Sequence, residues 1–362
     1  MCALPKSRFS SSVITALLAV LAISSTALAQ RYSQTNLVSD IPGMAAVTDP
    51  HLKNPWGISF GPTSPFWVSD NGTGVSTLYG PDGTQVPLIV TIPPPEGSKG
   101  PSTPTGTVFN GTDDFVVSGN GTSGPAIFIF VTEDGTISGW NPGVNLMRAI
   151  RVVDNSGLSA VYKGLASAQT SRGNFLYATN FHDGVVEMYN SHFQLVKTFT
   201  DINVLPGFAP FNIRNINGKL YVTFAEQQEN KKDDLAGPHH GFVDVFDTSG
   251  NKLRRLISGG VLNSPWGLAL APANFGRFSN DLLVGNFGDG RISAFNPVTG
   301  AFVGQLLNKN GAVLSIDGLW MITFGNSTAP SNALFFSAGI NGFFSAGING
   351  EADGLFGRSQ PQ

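Results

Sequence analysis

The sequence has little charge and a single cysteine. Asp, Glu, Lys and Arg make up 12% of the residues and the formal net charge is −3, so the chain lacks the basic surface that nucleic-acid binding needs. Cys2 has no second cysteine to pair with. Stability must then come from a hydrophobic core, and the chain is long enough to bury one. We expect no nucleic-acid partner and no disulfide framework.

Long apolar runs are missing after residue 29, which predicts a mature chain without a membrane span. The one long apolar run covers residues 13–23. Two basic residues precede it and Ala27-Leu28-Ala29 follows it, as in a secretory signal peptide. A membrane anchor is the alternative, but the run is short for one. We predict that residues 1–29 are removed before Gln30 and that the mature chain is secreted, either periplasmic or extracellular.

The sequence is instead rich in glycine, proline and phenylalanine, with 44, 23 and 27 residues respectively. Glycine and proline favour turns, and aromatic residues favour half-buried strands. Many turns combined with few charges predict an all-β globular protein rather than a helical or disordered one.

A short segment marked by proline or glycine recurs along the chain at intervals of roughly fifty residues. Each copy continues with two apolar runs, a turn such as Asp289-Gly290, and a third run, which is a pattern of short strands and hairpins. The points that we take as equivalent in the units are Gly57, Gly106, Gly164, Asn212, Gly267 and Gly318. This repeat predicts a six-bladed β-propeller.

The sixth unit ends near Phe356 without an evident fourth strand, whereas residues 35–40 have no partner in the first unit. We predict that this N-terminal segment completes the last blade, because closing the ring removes open sheet edges. An unpaired N-terminal tail is the alternative. The propeller is then expected to cover residues 30–357, with residues 358–362 as a C-terminal tail.

Two segments depart from the repeat. Residues 227–241 (QQENKKDDLAGPHHG) are a polar insertion between two strands of the fourth unit. The octapeptide FFSAGING occurs at residues 335–342 and again at 343–350. Because eight is an even number, either copy can serve as the strand without reversing its faces, and we expect the other copy to bulge or to lengthen a hairpin.

The units resemble those of NHL-type six-bladed propellers, most clearly at residues 55–79 and 265–295. More closely, residues 35–357 resemble an uncharacterised family of exported bacterial propeller proteins. That resemblance rests on the segments TNLVSD (35–40), NPWG (54–57), FVTEDG to GWNP (130–142), NSPWG (263–267) and GINGE (347–351). It implies the fold and an exported location, and it implies no activity.

In a propeller, the loops that enter the inner strands and those that join second to third strands lie on one face. The residues expected to bind a ligand at the central mouth of that face are Asn54, Asp70, Asn180, Glu226, Asn286 and Asp317. Six-bladed lactonases and phosphotriesterases hold calcium there with acidic and amide oxygens, and calcium prefers oxygen ligands. The corresponding metal candidates here are Asp70, Asn180, Glu226 and Asn286. The alternative is that these residues only stabilise their own turns.

Histidines lie near the same face. His239 and His240, with Asp233-Asp234, belong to the insertion at 227–241, and His182 lies in the equivalent turn of the third unit. They are candidates for metal binding or for acid–base catalysis, and the insertion is a candidate lid. A solvated surface loop is the alternative. Trp56, Trp266 and Trp320 recur at matching strand starts and are predicted to be core residues.

Two classes of function remain open. The first is an exported scaffold, expected to be monomeric, whose channel mouth binds a small molecule, a glycan or a protein. The second is an enzyme at the same mouth, either a calcium-dependent hydrolase of a lactone or ester or a lyase. Whether the chain is an enzyme is not decided by its sequence.

Overall fold

The fold is known from a computed structural model that describes residues 1–3, 30–340 and 351–362. Residues 4–29 of the predicted signal peptide and the second copy of the octapeptide therefore fall outside the described residues. None of the helices in the described part of the chain has the length and apolar character needed to cross a membrane.

Apart from two 3₁₀ turns, the regular secondary structure of the described chain is all short strands, which we number in chain order. Before the first blade come β1 (Arg31–Ser39) and β2 (Val47–Thr48). Blade 1 contains β3 (Pro55–Ser59), β4 (Phe66–Asp70), β5 (Val75–Tyr79) and β6 (Val90–Thr91). Blade 2 contains β7 (Pro104–Phe109), β10 (Phe128–Thr132), β11 (Thr136–Trp140) and β12 (Ile150–Asp154), with a hairpin of β8 (Val116–Gly119) and β9 (Thr122–Pro125) inserted.

The next three blades each have four antiparallel strands. Blade 3 contains β13 (Tyr162–Thr170), β14 (Gly173–Asn180), β15 (Val185–Tyr189) and β16 (Leu195–Phe199). Blade 4 contains β17 (Phe208–Ile216), β18 (Lys219–Glu226), β19 (Phe242–Asp247) and β20 (Lys252–Ser258). Blade 5 contains β21 (Pro265–Leu270), β22 (Leu282–Asn286), β23 (Ile292–Phe295) and β24 (Phe302–Gln305). Single 3₁₀ turns lie at Ser156–Leu158 and Gly276–Phe278.

The last blade combines the two ends of the described chain. After β25 (Leu307–Asn308) come β26 (Leu319–Phe324), β27 (Leu334–Ala338) and β28 (Leu355–Pro361). Strand β28 lies between β27 and β1 and is antiparallel to both. The first copy of the octapeptide supplies residues of β27. The prediction of a tail at 358–362 was wrong, because Arg358 pairs with Thr35 on one side and with Phe335 on the other.

The prediction of an all-β, six-bladed propeller is confirmed. Glycine permits the inner strands to approach one another closely. A Cβ atom added at Gly106 would lie 2.5 Å from the backbone nitrogen of Leu165 in the next blade, which no larger residue tolerates without a shift of the backbone.

The register corrects one of the repeat positions. The residue after each second strand donates its N–H to a carbonyl just before the first strand, as Asn71 does to Asn54 (3.1 Å) and Gly339 does to Gly318 (2.9 Å). Gly318 is therefore equivalent to Asn54 and not to Gly57. Both residues have positive φ angles, 60° and 44°, a conformation that glycine and asparagine adopt most readily. Met321 lies at the position that corresponds to Gly57.

A cluster of aromatic residues fills the middle of the ring. Trp56, Trp266 and Trp320 belong to one hydrophobic cluster and are 3%, 0% and 1% exposed, which confirms that they are core residues. The rings of Trp56 and Trp320 are stacked, and Trp266 packs edge-on against both. This cluster separates the two ends of the central channel.

Candidate functional site

Two sets of equivalent residues surround one end of the channel. The first set comes from the starts of the inner strands and comprises Trp56, Thr105, Lys163, Phe211, Trp266 and Trp320. The second set lies at the ends of the second strands or one residue beyond them and comprises Asn71, Glu133, Phe181, Ala225, Phe287 and Gly339. Each set contains one charged residue, Lys163 and Glu133, and these come from adjacent blades. The ring geometry thus places one acid and one base among mostly apolar neighbours.

Lys163 and Glu133 form a buried ion pair. The Lys163 ammonium donates a hydrogen bond to Glu133 Oε1, and the side chains are only 2% and 8% exposed. Asn71 donates to the other carboxylate oxygen at 3.0 Å. The Lys163 ammonium also lies 4.9 Å from the centre of the Trp56 ring, a cation–π contact. Burial by itself raises the pKa of Glu133, but the attraction of Lys163 and Lys232 and the hydrogen bonds from Lys163 and Asn71 together outweigh it and lower that pKa overall.

Asn54 connects the stacked tryptophans to a second carboxyl group. Its Oδ1 accepts hydrogen bonds from the indole N–H groups of Trp56 and Trp320, both at 3.1 Å. Its Nδ2 donates to Glu351 Oε2 at 2.7 Å. Because two indole donors define which amide atom is the oxygen, the NH₂ group must face Glu351. Asn54, which the sequence placed near the mouth, therefore positions other residues of the site.

Glu351 is a buried carboxyl group whose protonation changes near neutral pH. Burial raises its pKa to about 7, helped by the negative charge of Glu133 and opposed by the hydrogen bond from Asn54. Near neutral pH, Glu351 is therefore partly protonated while Glu133 remains ionised. Two nearby carboxyl groups whose environments push their pKa values in opposite directions are a recurrent property of functional sites.

The polar insertion in blade 4 covers this end of the channel. Residues 228 and 232–236, with Trp56, Glu133, Lys163, Phe287, Trp320 and Glu351, line a cavity of about 280 Å³. The loop is anchored at its base, where Leu235 N–H donates to the Glu226 carbonyl (2.7 Å) and Gly237 N–H donates to Asn263 Oδ1 (2.8 Å). Asp234 Oδ2 is buried without a hydrogen-bond partner among the described residues, and burial raises the pKa of Asp234.

The other predicted ligand residues lie at the same end but are engaged within their own blades. Asp70 accepts hydrogen bonds from the Thr77 N–H (3.0 Å) and hydroxyl (2.8 Å). Asn180 donates to Glu187 (2.8 Å), and Asn286 donates to Asp289 (3.0 Å). Asp317 is exposed.

Glu226 differs from the other three calcium candidates. Asp70, Asn180 and Asn286 each end a second strand opposite the start of the first, whereas in blade 4 that register position belongs to Phe224. Within the described parts of the chain, no group of three or more His, Cys, Asp or Glu side chains is arranged to hold a metal ion. A calcium site on these four residues therefore stays a prediction.

The candidate histidines are paired with carboxylates outside the cavity lining. His240 Nδ1 lies 3.0 Å from Glu226 Oε2, and His182 Nδ1 lies 2.9 Å from Asp183 Oδ1. His239 is exposed, with a φ angle of 70°. The Glu226–His240 contact joins the two ends of the insertion, so in this structure it fastens the loop that covers the cavity.

Sequence reasoning missed Lys163, Glu133 and Glu351 as members of the site. One signal was present for Lys163, since the equivalent position holds Trp, Phe or Thr in the other five blades. A lysine at such a position predicts a buried charge. Nothing comparable marks Glu133, which follows a strand as part of an ordinary Glu-Asp-Gly turn, or Glu351.

Two mimivirus proteins are similar to the chain over most of its length. Uncharacterized protein R648 of Acanthamoeba polyphaga mimivirus is 32% identical over 319 residues, which are 84% of this chain and 76% of the viral protein. Uncharacterized protein L690 of the same virus is 33% identical over 292 residues, 78% of this chain and 76% of its own. The chain belongs to the family of these viral proteins. No family model matches it.

Solved structures with the same fold are much more distant in sequence. A streptogramin B lyase structure is 13% identical, with a TM-score of 0.50 over 92% of this chain and 98% of the other. Virginiamycin B lyase from Staphylococcus aureus with quinupristin is 12% identical, with a TM-score of 0.50 over 91% and 99%. A protein of unknown function from Bacteroides thetaiotaomicron is 10% identical, with a TM-score of 0.53 over 92% and 76%. At these identities the likeness shows the propeller fold alone.

Proposed function

We propose that this member of the family binds a small polar molecule in the cavity beneath the blade 4 loop. The observation that carries the proposal is the convergence of Lys163, Glu133 and Glu351 on one apolar, aromatic end of the channel. Charged groups are costly to bury, so folds place them inside mainly where they pair or bind. A concave apolar cavity with a few converging polar groups is the usual form of a small-molecule site.

The chemistry of the lining favours a ligand rich in hydroxyl or amine donors, such as a single sugar unit. Four acidic side chains and two lysines line the cavity. The ammonium of Lys163 is already bonded to Glu133, so Glu351 and Asp234 remain as acceptors for donors on a ligand. Phe287 is partly exposed and stacks on Trp320 at 4.0 Å between ring centres, which adds an apolar surface for the face of a sugar ring. The cavity volume of about 280 Å³ is at the small end of the range for ligand sites.

The test is a thermal-shift and calorimetric screen of the mature chain against neutral monosaccharides, amino sugars and small amines. Glu351→Gln and Asp234→Asn should weaken binding of any ligand found, each by about tenfold, as expected for the loss of one charged acceptor. Glu229→Gln is the matched control, because Glu229 is an exposed carboxylate of the same loop. The proposal fails if no compound shifts the melting temperature, or if Glu351→Gln and the control bind a ligand equally well.

Catalysis is the second candidate, and the opposed pKa shifts of Glu351 and Glu133 favour it. A carboxylic acid with a pKa near neutrality can donate a proton to a leaving group, and an ionised carboxylate can accept one. The pair suits hydrolysis of a lactone or ester, or an elimination, without calcium. If the bound compound is turned over, Glu351→Gln should abolish turnover while leaving Glu133 ionised. Binding without turnover across pH 5–9 would leave the scaffold function alone.

We also propose that the chain acts outside the cytoplasm as a monomer. The support for export is the basic, apolar and Ala-x-Ala pattern of residues 1–29. Mass spectrometry of protein recovered from the producing cells should find a mature chain that begins at Gln30. Recovery of only the full-length chain from the cytoplasm would contradict export, and light scattering would measure the oligomeric state.

A further inference from the structure

The opposite end of the central channel has its own cavity, of about 410 Å³. Each inner strand runs from the tryptophan position at one end of the channel to this cavity at the other. The residues at the level of the cavity come three positions later in the chain, which is about 10 Å along an extended strand. The equivalent residues at this level are Ser59, Val108, Ala166, Arg214, Ala269 and Thr323. Five of them are small or uncharged, so Arg214 brings the only charge of the set to this end of the axis.

Arg214 has only weak partners among the residues that the structure describes. One guanidinium nitrogen lies 4.0 Å from Met321 Sδ, and the other lies 3.5 Å from Thr323 Oγ1. Both distances exceed those of a good hydrogen bond. Burial lowers the pKa of Arg214 to about 10, with no contribution from a neighbouring charge, so the side chain remains a cation at neutral pH.

Two of the other partly buried arginines of the described chain have carboxylate partners, and the third, Arg358, donates to the Pro81 carbonyl at 3.2 Å. Arg255 pairs with Asp201 and with Asp244, the latter at 2.9 Å, and Arg151 pairs with Glu96 and Asp154, each at 3.5 Å. A guanidinium removed from water without such a partner lowers the free energy of unfolding. Among the described residues Arg214 has neither a carboxylate nor a carbonyl partner, so an external anion would stabilise it.

The rest of the cavity lining suits an anion. The residues that line it include no Asp or Glu, and they offer neutral hydrogen-bonding groups on Ser59, Thr107, Ser167 and Asn215. The hydroxyls of Ser59 and Thr107 lie 3.1 Å apart, so one of them can donate to the other while the second proton remains available. A positive centre surrounded by neutral donors and apolar walls is the arrangement that binds carboxylates and phosphates.

We propose that this second mouth is an anion site in which Arg214 binds the carboxylate or phosphate group of a small molecule. The site is independent of the cavity under the blade 4 loop, because the buried tryptophans lie between them. Its test can therefore succeed or fail without changing the outcome for the proposed ligand site.

The experiment measures melting temperature and binding heat with sodium phosphate, acetate and succinate, against sodium chloride at equal ionic strength. The wild-type melting temperature should rise by about 2 °C at ten times the dissociation constant for a chain of this size. Arg214→Met should show no such rise, and without added anion it should melt no lower than the wild type. Arg254→Met is the control, because Arg254 is exposed and bonds only to backbone carbonyls. It should respond as the wild type does.

The three anions distinguish the possible sources. A response to phosphate alone identifies a phosphate site, and a response to acetate or succinate alone identifies a carboxylate site; both results support the proposal. Arg214→Lys provides a second variant if Arg214→Met does not fold, and its affinity should fall at least about tenfold because lysine lacks the planar fork. The proposal is overturned if no anion produces heat or a shift with the wild type, or if the Arg214 variants respond equally.

Discussion

The buried pair of Lys163 and Glu133 leads to the most decisive prediction. Replacing Lys163 by Met keeps most of the side-chain volume against Trp56 but leaves Glu133 buried with Asn71 as its remaining hydrogen-bond donor. Removing one member of a buried ion pair typically lowers the free energy of unfolding by about 3–5 kcal/mol. The lost cation–π contact with Trp56 adds about 1 kcal/mol. We expect Lys163→Met to lower the free energy of unfolding by about 4 kcal/mol at pH 7.

The double variant Lys163→Met/Glu133→Gln separates pairing from packing. It removes both charges and keeps an amide for Asn71 to bond, so its free energy of unfolding should lie within about 1.5 kcal/mol of the wild type. Urea unfolding curves at pH 7 measure both quantities, provided that the m-value is unchanged. The single variant Glu133→Gln completes the cycle. A loss of unfolding free energy below about 1 kcal/mol in Lys163→Met, or a loss in the double variant equal to the sum of the losses in the two single variants, would refute the reasoning.

The pH dependence of the free energy of unfolding provides an independent test. In the wild type the pKa of Glu133 is lowered on folding, so its contribution to stability is present above the unfolded pKa and is lost as the pH falls through the folded value. Without Lys163, only Lys232 and the hydrogen bond from Asn71 oppose burial, and we expect burial to raise the pKa of Glu133 above its unfolded value. The variant should therefore regain stability between pH 7 and 5, while the wild type does not. If the free energies of unfolding of the variant and the wild type change in parallel over this pH range, Lys163 is not what lowers the pKa of Glu133.

Three further predictions concern Glu351, Asp70 and Asn54. Glu351→Gln should remove the change in ligand affinity between pH 6 and 8, because the pKa of Glu351 is about 7; an unchanged calorimetric pH profile would exclude Glu351 as the titrating group. Burial raises the pKa of Asp70 well above its usual value, so its contribution to stability is present at low pH and is lost as the pH rises through the folded pKa. Asp70→Asn should therefore melt above the wild type at pH 8, with a smaller difference in melting temperature at pH 5. An equal difference at both pH values would refute this. Asn54→Ala should unfold about 2–4 kcal/mol more easily in urea, since two buried indole N–H groups lose their acceptor; a loss below about 1 kcal/mol would show that water replaces the amide.

The fold could be read from the sequence because its signals are local. Proline, glycine and Asp-Gly turns mark strand boundaries within a few residues, and their repetition at a nearly constant interval predicts identical units around an axis. The errors have a local cause as well. Gly318 resembles the glycine of the other strand starts, but the backbone pairing of Gly339 with Gly318 moves the register by three residues. Residues 358–361 carry no distinctive strand pattern, yet they lie between β27 and β1.

The site was only partly predictable. The face of the ring on which the insertion at 227–241 lies follows from the connectivity of a propeller, and residues of that insertion line the cavity. The prediction that conspicuous Asp and Asn residues of the turns supply the ligand groups does not identify the residues that line the cavity. Asp70, Asn180 and Asn286 are instead buried among groups of their own blades.

By itself, the sequence determined the number of blades, the positions of most strands and the face on which the long loop lies, because each depends on residues that are neighbours along the chain. Only the tertiary structure decided which charges meet. Lys163, Glu133 and Glu351 come from three different blades, and Arg214 lies beyond the aromatic cluster at the other end of the channel. Ring closure brings such residues together, so their pKa values and partners depend on distances that no segment of the sequence contains.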